Sequence, residues 1–151
     1  MKRLFFAASL LFGLGVLFPS CEKSGAIDNE QKPSDIVGCW VYGTYLYNGE
    51  EIYPLDFDKI DEYLEFTETG HVKVYSPEHG YASYKNGELS YSGKWVFEET
   101  YMYWIEDGLF YYDWGETNEF EMISKDEFCL TGEYKGGISK QYYLRVRKFS
   151  K

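Results

Sequence analysis

After residue 34 the chain is cut at short intervals by residue pairs suited to reversing it, and nothing between them has the period of a helix. Asn48-Gly49, Asn86-Gly87 and Asp107-Gly108 suit two-residue hairpin turns, which need φ > 0 at both positions. Thr69-Gly70, Ser124-Lys125-Asp126 and Gly136-Gly137 add further reversals. Between them apolar and polar residues alternate, and no window of about ten residues repeats every 3.6. Strands are predicted over 35–47, 63–68, 72–75, 80–84, 88–98, 101–106, 109–114, 118–123, 127–134 and 139–148. Segment 50–62 fits either a short helix or a wide loop. The 16 Tyr, 11 Phe and 4 Trp, together 21% of the chain, agree with this reading. Flat rings pack well across a pleated sheet. The expected fold class is all-β, an antiparallel meander. Its edges would invite pairing with other chains unless the sheet closes or stacks.

Alternation also assigns faces. Trp40, Tyr42, Thr44 and Leu46 share one face of the first strand, and Val37, Cys39 and Val41 the other. Leu64 with Phe66, Val72 with Val74, Trp95 with Phe97, Phe120 with Met122, Phe128 with Leu130, and Leu144 with Val146 are expected to point inward. The residues between them are largely Glu, Lys, Ser, Thr and Arg, as a sheet closed around its own interior requires.

The N-terminus reads as an address. Lys2 and Arg3 precede an uncharged stretch over 4–18, followed by Pro19-Ser20-Cys21. A positive start, a short apolar run and a small residue before a cleavage point make a secretory signal over 1–20. The apolar run is shorter than the roughly 20 residues that span a bilayer. Ser20-Cys21, with Leu17 upstream, resembles a bacterial lipobox of the looser Bacteroidetes kind. That resemblance implies lipidation of Cys21 and attachment to the cell envelope, on the periplasmic or surface face of the outer membrane. Residues 21–34 are polar and read as a flexible tether to a domain over 35–151. Without Lys2 and Arg3 the chain keeps 13 basic residues against 25 acidic, a balance of −12. No polybasic patch assists the anchor, so attachment rests on acyl chains. The same acidity excludes nucleic acid as a partner, because phosphate backbones need a basic stripe.

Several segments taken in order resemble the lipocalin-like domain. Ile36-Val37-Gly38-Cys39-Trp40-Val41 resembles its opening Gly-x-Trp strand. Tyr63-Leu64-Glu65-Phe66-Thr67-Glu68-Thr69-Gly70 resembles the hairpin that follows. Gly93-Lys94-Trp95-Val96-Phe97, the segment 123–130 and the closing Tyr143-Leu144-Arg145-Val146-Arg147 resemble later strands, so the likeness covers about 35–149. It implies an eight- to ten-stranded, calycin-type barrel. In that family a basic residue of the last strand covers the first-strand Trp. Arg147 is expected over Trp40 here, with Arg145 the second choice, as a structural pair that closes the barrel.

The resemblance also implies a site for a small apolar or glycan ligand in the barrel mouth. Tyr42, Thr44, Trp95, Phe97, Met102, Trp104 and Tyr111 are its expected wall. The alternative is a barrel filled by its own side chains. The hairpin over 101–114 carries aromatics on both faces. Tyr112 and Trp114 are expected outside, either as a patch for sugar rings beside Asp107, Asp113 and Glu116 or as cross-strand packing that stiffens the hairpin.

Other chemistry is weakly marked. Asp56, Asp58, Asp61 and Glu62 cluster, but Ile60 and the missing Gly spoil a calcium loop. His71 and His79 lack the spacing of a zinc site, so no metal or other cofactor is expected. No nucleophile elbow or phosphate loop occurs, and no catalytic residue is assigned. Cys39 and Cys129 both take the outward parity. A strand between them would hold them roughly 9–10 Å apart, so they are expected to be free. Three classes of function stand on these residues: a monomeric ligand-binding envelope lipoprotein, an interaction lipoprotein with a filled barrel working through 101–114, and an envelope enzyme with an acidic site.

Overall fold

The computed structural model describes residues 34–151. The signal expected over 1–20, the lipidation site Cys21 and the tether up to residue 33 lie outside the described residues.

A 3₁₀ turn at Ser34–Ile36 leads into twelve strands. They are β1 (Gly38–Tyr47), β2 (Glu50–Tyr53), β3 (Tyr63–Phe66), β4 (His71–Pro77), β5 (Ser83–Lys85) and β6 (Glu88–Ser90), then β7 (Trp95–Glu106), β8 (Leu109–Tyr112), β9 (Thr117–Ser124), β10 (Glu127–Tyr134), β11 (Gly137–Val146) and β12 (Lys148–Ser150). The order β11-β10-β9-β8-β7-β4-β3-β1 closes through β1–β11 pairing into an eight-stranded antiparallel barrel, with β2 added along β1. The expected lipocalin-like barrel is the observed fold.

The turn chemistry explains the path. Asn48-Gly49, Asn86-Gly87, Asp107-Gly108 and Lys135-Gly136 all have positive φ at both positions. This is the two-residue geometry whose twist matches the strands it joins. The last of these sits one residue before the expected Gly136-Gly137. Segment 50–62 holds β2 and an irregular loop rather than a helix, and its Ile60 bridges Ala82.

The predicted strand over 88–98 is instead two elements. β6 leaves the barrel and joins β5 and, in parallel, β12 in a small three-stranded sheet. The chain breaks where Tyr91 folds back to bond both the amide and the carbonyl of His79. Its hydroxyl oxygen occupies the space a side chain at Gly93 would need.

That small sheet creates a second core. Inside the barrel pack Trp40, Leu64, Phe66, Tyr103, Phe110, Phe128 and their neighbours. Between the barrel's outer wall and the small sheet pack Val41, Ile60, Ala82, Tyr84, Leu89 and Val146, with Leu144 and Trp95 alongside. Leu144 and Val146 therefore face outward, contrary to the alternation reading, because apolar residues are wanted on both sides of this wall.

Two of the barrel's register shifts bear on the open end. Tyr42 pairs with Tyr143 and Tyr45 with Gln141, so Gly43 and Thr44 together oppose one residue. Val74 pairs with Glu99 and Tyr75 with Phe97, leaving Glu98 extra. Each bulge shifts every later side chain of its strand to the other face.

Candidate functional site

One end of the barrel is shut. Trp40 is fully buried there, donates from Nε1 to the Ile36 carbonyl at 2.7 Å, and meets Phe128 edge-on at 4.7 Å. Arg145 covers its ring at 4.1 Å. The Arg145 guanidinium also donates to the carbonyls of Val37 (3.0 Å), Lys125 (2.7 Å) and Asp35. Gly38 has φ +133°, and a side chain there would meet Arg145 Nη1 at 2.9 Å. The Gly-x-Trp spacing thus leaves room for the arginine.

Arg145, not Arg147, is the closing residue. Trp40 and Arg145 stand directly opposite each other across β1 and β11. Arg147 falls where the chain leaves the barrel for β12. It donates to the Asn86 carbonyl at 2.9 Å and lies 3.8 Å from an Asp126 carboxylate oxygen.

The other end is open and holds a cavity of about 370 Å³. Tyr42 of β1, Tyr101 of β7, Tyr112 of β8 and Tyr143 of β11 converge in it. Tyr42 and Tyr143 rings lie 5.1 Å apart, and Tyr101 and Tyr112 5.5 Å. Trp114 stacks on Tyr112 at 4.2 Å and meets Tyr101 edge-on at 4.7 Å. Glu99, Glu116, Asn118, Glu133, Ser139 and Gln141 also line the cavity.

Burial dominates the electrostatics of the tyrosines. It lifts the Tyr112 phenol to about 12 and those of Tyr42, Tyr101 and Tyr143 well above the usual value. The Tyr112 and Tyr143 phenols act on each other, and the Glu62 carboxyl acts on that of Tyr42. Burial, with Asp61, Glu99 and Glu98 nearby, raises the Glu62 carboxyl. The site is an aromatic cup inside a ring of carboxylates.

Of the expected wall, only Tyr42 lines this cavity. Thr44 is turned out by the β1 bulge and faces a groove beside Leu46 and Leu55. Trp95 belongs to the second core, edge-on to Tyr63 at 4.8 Å and Tyr91 at 5.2 Å. Phe97 is half exposed outside, against Tyr75 at 5.8 Å. Met102 is exposed, and Trp104 stacks flat on Tyr111 at 5.1 Å as their cross-strand pair faces away from the core.

The hairpin over 101–114 is inverted relative to expectation. Tyr103, Ile105, Phe110 and Tyr112 are the buried face. Tyr112 is therefore core, and Trp114, half exposed, is the cavity's rim rather than an outer patch. The second core draws Trp95 outward, and the bulge at Glu98 then turns Glu99 and Tyr101 in. Two signals marked these places: the glycine within Tyr42-Gly43-Thr44-Tyr45, and the adjacent acids in Phe97-Glu98-Glu99 that break alternation.

Cys39 and Cys129 are free thiols. Among the described residues no group of three His, Cys, Asp or Glu side chains is placed to share a metal ion. Asp56 is engaged with Lys59 at 3.1 Å and with the Asp58 amide. Comparison with protein-family models and with curated proteins gives no match to this chain.

Proposed function

We propose that this is a lipid-anchored protein of the bacterial cell envelope that binds a small molecule in the open mouth of its barrel, without catalysis. The observation that carries the binding reading is the cavity itself. At about 370 Å³ it has the volume of a small-molecule site. Its tyrosines are set by strand register and by packing on a filled lower core, so the ligand meets a largely preformed surface. Side chains fill the closed half of the barrel, and the mouth stays open. The anchor rests on Lys2, Arg3, the apolar run over 4–18 and Ser20-Cys21.

Native mass spectrometry of the mature protein from its own host tests binding. The expected result is a co-purifying small molecule that leaves on mild activation. A bare polypeptide mass under the gentlest conditions counts against the reading. For the anchor, the N-terminal peptide should begin at a diacylated or triacylated Cys21 and lose that state under globomycin. An unmodified Cys21 overturns it.

A further inference from the structure

We infer that the mouth takes a small organic cation, an amine in its protonated form carried on an apolar body. The inference rests on the binding reading above and adds the chemical class of the ligand. It comes from what the wall offers and what it has already used. Each side-chain amide or indole nitrogen of the wall already donates to the protein. Trp114 Nε1 bonds a Glu116 oxygen at 3.1 Å, and Asn118 Nδ2 the other at 3.5 Å. Gln141 Nε2 bonds the Tyr142 carbonyl at 2.9 Å and that of Gly43 at 3.3 Å. Beyond these, the wall offers carboxylate oxygens and hydroxyl groups, which both accept and donate, and no charged donor among the described residues.

Charge points the same way. Glu99, Glu116 and Glu133 line the cavity, and no Lys or Arg does so among the described residues. Lys135 stands over the Tyr134 ring, 4.9 Å from its centre, at the edge of a neighbouring groove. Ring faces attract cations and carboxylates hold them, and both strengthen as water is excluded. An anion would meet three carboxylates and no basic residue in the lining, with Lys135 set outside it on Tyr134. A neutral sugar can hydrogen-bond the wall's hydroxyls but leaves its three carboxylates without a counter-charge. The net charge of −10 adds long-range attraction for a cation.

Isothermal titration calorimetry with one scaffold bearing three head groups tests this: 2-phenylethylammonium, 2-phenylethanol and phenylacetate, with N-acetylglucosamine as a neutral glycan probe. The ammonium should bind about tenfold more tightly than the alcohol, and the carboxylate not at all. The preference should shrink with added salt and largely vanish in Glu99→Gln/Glu116→Gln, whose folding is checked by its melting curve. Equal or tighter binding of the alcohol or the sugar overturns the cation inference and leaves the binding site standing. Failure of all four probes to bind overturns both.

Discussion

Arg145 lies over the Trp40 ring at 4.1 Å and stands directly across from it in the pairing of β1 with β11. The contact joins the first barrel strand to the last, and the same guanidinium caps three carbonyls of the chain around the closed end. Arg145→Met keeps the length of the stem and removes the charge and its hydrogen bonds. It should cost about 2–4 kcal/mol in urea unfolding. Arg147→Met, at an exposed ion pair, should cost about 0–1 kcal/mol. The reverse ranking would refute the assignment.

The tyrosine cup makes the fold sensitive to alkali. Burial holds Tyr42, Tyr101, Tyr112 and Tyr143 protonated past the ordinary phenol range. From about pH 10, where an unfolded tyrosine starts to lose its proton, unfolding releases protons that the fold retains. Stability should therefore be unaffected by these groups below about pH 9 and fall steeply above about pH 10, by about 1.4 kcal/mol per pH unit for each tyrosine involved. Urea midpoints across that range measure it. A flat profile to about pH 12 would contradict the burial.

Glu62 gives the opposite experiment, at acid pH. Its carboxyl is raised by burial and by its acidic neighbours, so its charge destabilises the folded state above the ordinary glutamate range, and the cost disappears as pH falls. Glu62→Gln keeps a polar side chain beside Tyr42 and removes the charge. Its melting temperature at neutral pH should exceed the wild type's by a few degrees at most, since the site is half exposed and solvent screens the repulsion. At about pH 4 the two proteins should melt together. A lower melting point for the variant at neutral pH would count against the carboxylate ring.

The two thiols of the domain should react slowly with a disulfide reagent. Burial and the Glu65 charge hold Cys39 up to about 11, and burial raises Cys129. Native protein at about pH 8 should label many times more slowly than protein in denaturant, and prior reduction should not change the count. Extra thiols after reduction would show a disulfide.

The barrel was legible from its turns and its period of two, because both are local. Asn86-Gly87 and Asp107-Gly108 place hairpins whatever the rest of the chain does. What escaped was long-range. No local pattern announces that 148–150 returns to pair in parallel with 88–90. That pairing builds the second core, which makes Leu144, Val146 and Trp95 apolar on an outward face. Taken as a strand of its own, 101–106 has no neighbour to fix its parity, and Met102, Trp104 and Tyr111 exchange places with Tyr101, Tyr112 and Trp114. The aromatic hairpin contributes Tyr101, Tyr112 and Trp114 to the mouth, with its faces reversed from the alternation pattern.

A small molecule bound as proposed enters the tyrosine mouth and nowhere else. Nuclear magnetic resonance of protein carrying isotope-labelled tyrosine, titrated with aromatic amines, alcohols and acids, tests it most directly when run beside Ser139→Trp, which plugs the cavity. Saturable shifts are predicted at Tyr42, Tyr101, Tyr112 and Tyr143, with Tyr111 on the outer face unmoved and every shift lost in the plugged variant. Shifts that gather on Tyr111, or that survive the plug, would contradict the account.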